Sequence, residues 1–326
     1  MDETLLSPQL LEKTSSHLQQ QKYSPGLYIV ATPIGNIFDI TLRAIHILKK
    51  STYILAEDTR QSRKLLNFFE IKTPLMACHE HNEMHNAILS NLKSLGTDGR
   101  ERNIAGETEN SRIFSLICDA GTPLISDPGY RIVNWCLENK IAIYPIPGPC
   151  AATAAISCAG LPTNEFVFLG FPPAKRAARR AFFEINLGQP RTMIFFESPH
   201  RLLSSLRDMF EIFGNRRCCL CRELTKIFEE FRRGTIAEII DYFSSIGTNR
   251  GEFVLIVDGA ANEINRNADG NSHGGAIVLD ELLQYLPANS VGGAAKIIAE
   301  NLHISKRVLY KKILALKKLL DTNTQS

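Results

Sequence analysis

At 326 residues, 44% hydrophobic and 22% charged, the chain has ordinary globular composition and length for two or three domains of about 100–200 residues each. No apolar run reaches the roughly 18 residues of a membrane span, and residues 1–25 lack the apolar core of a secretory signal. The net charge of +3 neither demands nor excludes a nucleic-acid partner, and eight cysteines in mostly apolar settings fit a reducing, cytoplasmic setting.

Residues 1–25 read as a loose extension. Leu27–Ala31 reads as the first strand, ending in the loop Thr32-Pro33-Ile34-Gly35-Asn36. A helix follows over about Thr41 to Lys50, with Leu42, Ile45 and Leu48 on one face. Tyr53–Ala56 is the next strand, and it ends in Glu57-Asp58-Thr59-Arg60. Asp58 with Gln61 makes a capping-box pattern for a helix ending near Phe69. In Cys78-His79-Glu80-His81-Asn82-Glu83 the two histidines alternate, as a shared metal requires; a solvated loop beside the site is the plainer reading. A helix to about Leu95 and a polar insertion over 96–112 follow.

Next come the buried strand Ile113–Cys118 and the central loop Asp119-Ala120-Gly121-Thr122-Pro123-Leu124-Ile125-Ser126-Asp127-Pro128-Gly129. Asp127 then Pro128 reads as N-cap and first position of the next helix. The strand Ile141–Tyr144 ends in a third such loop, Pro145–Pro149, before a small-residue helix over Ala151 to Ala159. Alternating strands and helices require a parallel sheet, and ligands of such sheets bind beyond the carboxyl ends of the strands. None of the three Pro/Gly loops is a GxGxxG or a P-loop, so the usual dinucleotide and triphosphate cradles are excluded.

The second half is richer in strand: Phe166–Phe171, Thr192–Phe196, Arg217–Cys221, Glu230–Gly234 and Phe253–Val257, with helices near 176–187, 199–213 and 236–246. Glu197-Ser198-Pro199-His200-Arg201 reads as strand end, cap and N1 proline. Cys218, Cys219 and Cys221 have the wrong spacing for a zinc knuckle, and no metal site is expected. Lys175, Arg176, Arg179 and Arg180 put four cations in six residues; beside an RNA cleft they read as phosphate contacts, otherwise as a solvated helix start. Residues 261–275 read as a linker. Residues 276–326 read as three short helices, the last with Arg307, Lys311 and Lys318 opposite its apolar stripe. Between His303 and Leu320 lie six Lys/Arg and no acid, a pattern helix-turn-helix modules use on nucleic acid.

Five ordered motifs carry a resemblance: Ala31–Asn36, Ala56–Arg60, Asp119–Gly129, Phe195–Arg201 and Arg222–Lys226. Together, from about Gly26 to Asp258, they resemble the ribosomal RNA small subunit methyltransferase I family of the tetrapyrrole methylase superfamily. The N-terminal extension, the 96–112 insertion and Cys118, where the family more often has Ser, depart from its pattern. The resemblance implies a two-lobed α/β fold. A largely parallel sheet would form the N-terminal lobe over 26–149, and a mixed α/β lobe would span 150–260, with a small helical module after them. It implies a homodimer binding S-adenosyl-L-methionine between the lobes. The reaction implied is 2′-O-methylation of a cytidine ribose in the decoding region of 16S small-subunit ribosomal RNA, taken as naked RNA or within the assembled subunit. Carried over by motif, Pro33, Asp119, Gly121, Thr122 and Pro149 are cofactor-loop residues, with Glu197 and Ser198 from the second lobe. Asp58, Arg60 and Glu223 are the catalytic candidates. Lys175, Arg179, Arg201 and Lys226, with the tail residues Arg307, Lys311 and Lys318, are the RNA candidates. Rival readings are a small-molecule methylase of the same fold and a non-catalytic nucleic-acid-binding protein.

Overall fold

The computed structural model describes residues 7–80, 82–96, 112–247 and 250–260. His81, most of the 96–112 insertion and everything from 261 on, including Arg307, Lys311 and Lys318, lie outside the described residues. The described residues belong to one compact unit.

The chain opens with α1 (Pro8–Gln19), where a loose extension was expected; Ser7 caps it, accepting from the Leu10 N–H, and Pro8 takes the first turn, where no N–H is needed. The first sheet is built from β1 (Gly26–Val30), β2 (Tyr53–Ala56), β3 (Leu75–Ala77), β4 (Ile113–Ile117) and β5 (Ile143–Ile146). All pairings are parallel, in the order β3-β2-β4-β1-β5. β4 is buried along its whole length, as a central parallel strand must be. Helices cover both faces. Tyr28, Val30 and Ile54 pack with α2 (Leu42–Lys50) and α3 (Thr59–Phe68). Leu27, Leu55 and Phe114 pack with α4 (Asn86–Gly96) and α5 (Tyr130–Glu138) on the other side.

Three expectations change here. β5 continues through Pro145 instead of ending at Tyr144; it is an edge strand, and a missing N–H costs little there. The Asp58–Gln61 capping box forms only in half: Asp58 caps α3, but Gln61 turns outward to accept from Lys64. α5 starts at Tyr130 with Gly129 as N-cap, so neither Asp127 nor Pro128 begins it.

α6 (Ala151–Cys158) leads into the second sheet: β6 (Phe166–Phe168), β7 (Thr192–Glu197), β8 (Arg217–Arg222), β9 (Glu230–Thr235) and β10 (Phe253–Val257). Its order is β6-β7-β10-β8-β9, parallel only at β6–β7. One face packs α7 (Arg176–Ile185), α8 (Leu202–Phe213) and α9 (Ile236–Ile246) over Met193, Phe195, Leu220 and Leu255. On the other face the small residues of α6, Ala152 and Ala155, lie close over Ile194, Cys219 and Ile256. Ile34 and Leu224 join that cluster, so the first loop of the chain is packed into the second lobe. Pro199 lies in a turn and α8 begins at Leu202, because the Ser198 carbonyl accepts from both Arg201 and Leu202.

Candidate active site

In the first sheet the connections reverse between β1 and β4. The loop after β1 leads to α2 on one face, and the loop after β4 leads to α5 on the other. Such a switch point opens a crevice at the carboxyl ends of the strands. Thr32 and Gly121 sit on its two sides and form an isolated antiparallel bridge across it. The Thr32 N–H donates to the Gly121 carbonyl at 2.8 Å, and the Gly121 N–H returns to Thr32 at 3.0 Å. Thr32 is buried, and its hydroxyl donates to the Cys118 carbonyl at 3.1 Å. The third loop is tied in by Thr122, whose hydroxyl donates to the Pro149 carbonyl at 2.9 Å. Gly148 passes so near that a Cβ on it would stand 2.9 Å from that of Ala31. The structure thus gathers the loops of Pro33, Asp119, Gly121, Thr122 and Pro149 at one crevice.

The fourth strand end joins through Asp119, whose carboxylate accepts from the Asp58 N–H at 3.2 Å. That contact takes the backbone group a capping-box side chain would have used. Asp58 accepts from the Arg60 N–H at 2.8 Å and is held by the Arg60 guanidinium at 3.1 and 2.8 Å.

The acids of the crevice fall into two groups. Arg60, by its side-chain and then its backbone hydrogen bonds, brings the Asp58 carboxyl down to about 2. Burial alone would raise Glu223, but hydrogen bonds from Lys226 and the Glu252 backbone outweigh it and leave it below the usual range. Glu57, Asp119 and Asp127 shift the other way. Burial raises each first; Asp127 and Asp119 add to it at Glu57, and Asp58 and Asp119 add to it at Asp119 and Asp127 respectively. Carboxylates crowded together under partial burial favour a cationic ligand and hold protons more readily than free ones. Glu57 was not singled out from the sequence; its position at a buried strand's carboxyl end was the available signal.

The second lobe reaches the crevice by two approaches. A Cβ on Gly170 would lie 3.3 Å from the Ser126 hydroxyl. A Cβ on Gly35 would stand 2.5 Å from Cγ of Lys226 and 2.7 Å from the Leu224 carbonyl. Beside it the Asn36 N–H donates to the Thr225 hydroxyl at 2.9 Å. Thr225, although β-branched, adopts φ 64°, and Glu223 φ 50°, rare conformations that such anchoring holds in place. Lys226 bridges Glu223 and Glu252 at 2.9 and 3.0 Å.

Glu197 and Ser198 are not brought to the loop cluster by any hydrogen bond among the described residues. The Glu197 carboxylate is buried on the face of its sheet that carries α7 and α8; one oxygen accepts from the Ser198 N–H and pairs with Arg201, and the other has no partner. Arg201 is further committed to the Ser198 hydroxyl and the Pro172 carbonyl. Arg179 is corrected: its side chain is 4% exposed and binds Asp208 at 2.6 and 2.9 Å, so it neutralises a buried acid instead of meeting phosphate. Arg176 and Arg180 converge on the same carboxylate, and Arg180 also pairs with Glu211. Lys175 remains exposed at the N-cap of α7.

Residues 26–240 match Tetrapyrrole (Corrin/Porphyrin) Methylases, the class that this pair of sheets and loop cluster define. Over 252 residues the chain is 44% identical to ribosomal RNA small subunit methyltransferase I of Halalkalibacterium halodurans, covering 77% of this chain and 82% of that one. The protein of the same name from Pseudomonas aeruginosa is 43% identical over 293 residues, with 88% and 96% covered. Among solved structures, uroporphyrin-III-C-methyltransferase from Thermus thermophilus aligns at 18% identity and a TM-score of 0.47, over 71% of this chain and 93% of that one. The chain belongs to the ribosomal RNA small subunit methyltransferase I family of tetrapyrrole methylases.

Proposed function

We propose that this chain transfers a methyl group from S-adenosyl-L-methionine to the 2′-hydroxyl of a cytidine ribose in the decoding region of 16S ribosomal RNA. The observation that carries the reading is the crevice where Thr32, Gly121 and Pro149 are locked together beside raised-pKa carboxylates. Relatives named ribosomal RNA small subunit methyltransferases, 44% and 43% identical, support the RNA substrate. The residues fit the cofactor: Pro33, Gly121, Thr122 and Pro149 offer closely packed backbone, and Asp119 and Glu57 offer negative charge to a cation. When bound, S-adenosyl-L-methionine supplies an electrophilic methyl on a sulfonium.

In-line displacement depends chiefly on positioning, which fixed loops provide. The ribose hydroxyl must lose its proton as its oxygen is methylated. With its carboxyl at about 2, Asp58 has little proton affinity; we assign it to orienting that hydroxyl as an acceptor. Glu57 and Asp119 hold protons better, and Glu223 belongs with Asp58. Arg60, 89% exposed at its side chain, holds Asp58 through Nε and Nη2 and can offer Nη1 to a phosphate without releasing it. Lys175 at the exposed start of α7, Arg201 and Lys226 at the second lobe's strand ends, and Arg307, Lys311 and Lys318 in the tail are the proposed RNA contacts. A homodimer acting in the cytoplasm on the assembled small subunit completes the reading.

The test is mass-spectrometric mapping of 16S ribosomal RNA from cells with and without this gene, joined to calorimetry of the purified protein with S-adenosyl-L-methionine. A single ribose methylation that disappears with the gene is expected. An unchanged methylation map, or no cofactor affinity, overturns the proposal.

A further inference from the structure

The motif Cys78–Glu83 has no part in the reading above, yet it ends inside the central loop. Asn82 is tied back to the strand end before it: its carboxamide oxygen accepts from the His79 N–H at 2.6 Å, and its amide donates to the Ala77 carbonyl at 3.0 Å. The next residue, Glu83, is 3% exposed. Its two carboxylate oxygens accept separately from the Gly129 N–H at 3.2 Å and the Arg131 N–H at 3.1 Å. Those are the amides at the start of α5, whose own N-cap, Gly129, has no side chain to satisfy them. A carboxylate also suits the positive end of the helix.

The loop that ends there is held in left-handed conformations that are costly at Leu124 and Ser126. Gly121, Leu124, Ser126 and Gly129 adopt φ of 87°, 73°, 69° and 124°, and two of these residues carry side chains. Such a loop keeps one shape only if its surroundings fix it at several points. The upstream end is fixed by the Thr32 bridge and the Thr122 bond; Glu83 fixes the downstream end. We propose that Glu83 is a positioning residue for the proposed methyl transfer: by capping α5 from outside the helix, it holds the Asp119–Gly129 loop in its ligand-binding shape. This rests on the cofactor reading above.

The test uses the full-length protein. Glu83→Ala should raise the Kd for S-adenosyl-L-methionine by about tenfold or more, since a lost charged acceptor leaves two amides unmatched. The KM for the cofactor should rise with it, while kcat at saturating cofactor changes by less than about threefold, because bound cofactor restores the loop. Glu83→Gln keeps one carbonyl acceptor and should lie between. Should Glu83→Ala fail to fold, Glu83→Asp, one methylene shorter, replaces it with the same expectation. A Glu83 variant with lowered Tm but cofactor affinity within twofold of wild type makes Glu83 a structural cap only and overturns the proposal. Absence of cofactor affinity in the wild type instead defeats the functional reading, and this inference with it.

Discussion

Gly35→Ala isolates the seam between the lobes. The added Cβ would meet Lys226 Cγ at 2.5 Å, and the Leu224 carbonyl and Thr225 hydroxyl at 2.7 Å each. The lysine stem can swing aside, but the Leu224 carbonyl is backbone and can only retreat with its loop. Reaching ordinary contact distance needs a displacement of about 1 Å. That would lengthen the 2.9 Å bond from the Asn36 N–H to Thr225 beyond hydrogen-bonding range. Overpacking of this kind costs about 1–3 kcal/mol, and the lost bond about 0.5–1.5 kcal/mol. Together they give roughly 2–4 kcal/mol. For a domain of this size that is a fall in Tm of about 4–16 °C. Gly35 has no left-handed backbone, so steric contact alone is being measured. Gly188→Ala is the control, because nothing lies within 4 Å of its Cβ and its φ is unrestricted. Scanning calorimetry of both variants decides. A Gly35→Ala protein melting within 1 °C of wild type, the scale set by a few tenths of a kcal/mol, refutes the close packing of the two loops.

Asp58→Asn keeps the cap on α3, and its single-turnover methylation rate should fall by less than about 10²; a loss of 10²–10⁴ would return Asp58 to the role of general base. Asp208→Ala strands Arg179 in the core without a counter-charge, and should cost about 3–5 kcal/mol in urea unfolding; a loss under about 1 kcal/mol would put Arg179 back among surface cations. Glu57 is raised by burial and by its acidic neighbours, so its contribution is favourable below the unfolded pKa and is lost as pH rises through the folded value. Glu57→Gln should therefore raise Tm at pH 7.5, with the gain vanishing near pH 4; an equal or lower Tm at pH 7.5 contradicts that charge balance.

Legibility followed the range of the interaction. Thr41 before α2 and Asp58 before α3 cap helices from one position away, and periodicity with those residues located the helices. β4 and β10, buried from end to end, announced themselves as apolar runs, unbroken in β10 and interrupted only by Ser115 in β4. The misses were long-range. Asp127-Pro128 has the local form of a helix start, but a carboxylate 46 residues away supplies the cap at Gly129. Pro145 stays in a strand because β5 has a neighbour on one side only. Arg179 reads as one cation of a basic cluster, and only the fold reveals Asp208 beneath it. The crevice loops were visible as Pro/Gly strand ends; the bridge from Thr32 to Gly121 and the split among the acids depend on which ends are neighbours.

The bond from Asn36 to Thr225 also bears on how the chain is made. Its partners are 189 residues apart, and Ile34 beside it is packed against Leu224. At synthesis rates of about 5–20 residues per second, the first crevice loop leaves the ribosome roughly 10–40 s before its second-lobe partner. During that interval Ile34 has no cover from Leu224, and the Asn36 amide has only water to bond. The sheet partners of β1 are complete once residue 146 has emerged, while the loop that follows β1 is completed only when Thr225 arrives. A nascent chain stalled short of residue 223 should be cut by protease near Gly35, and one released after residue 260 should resist.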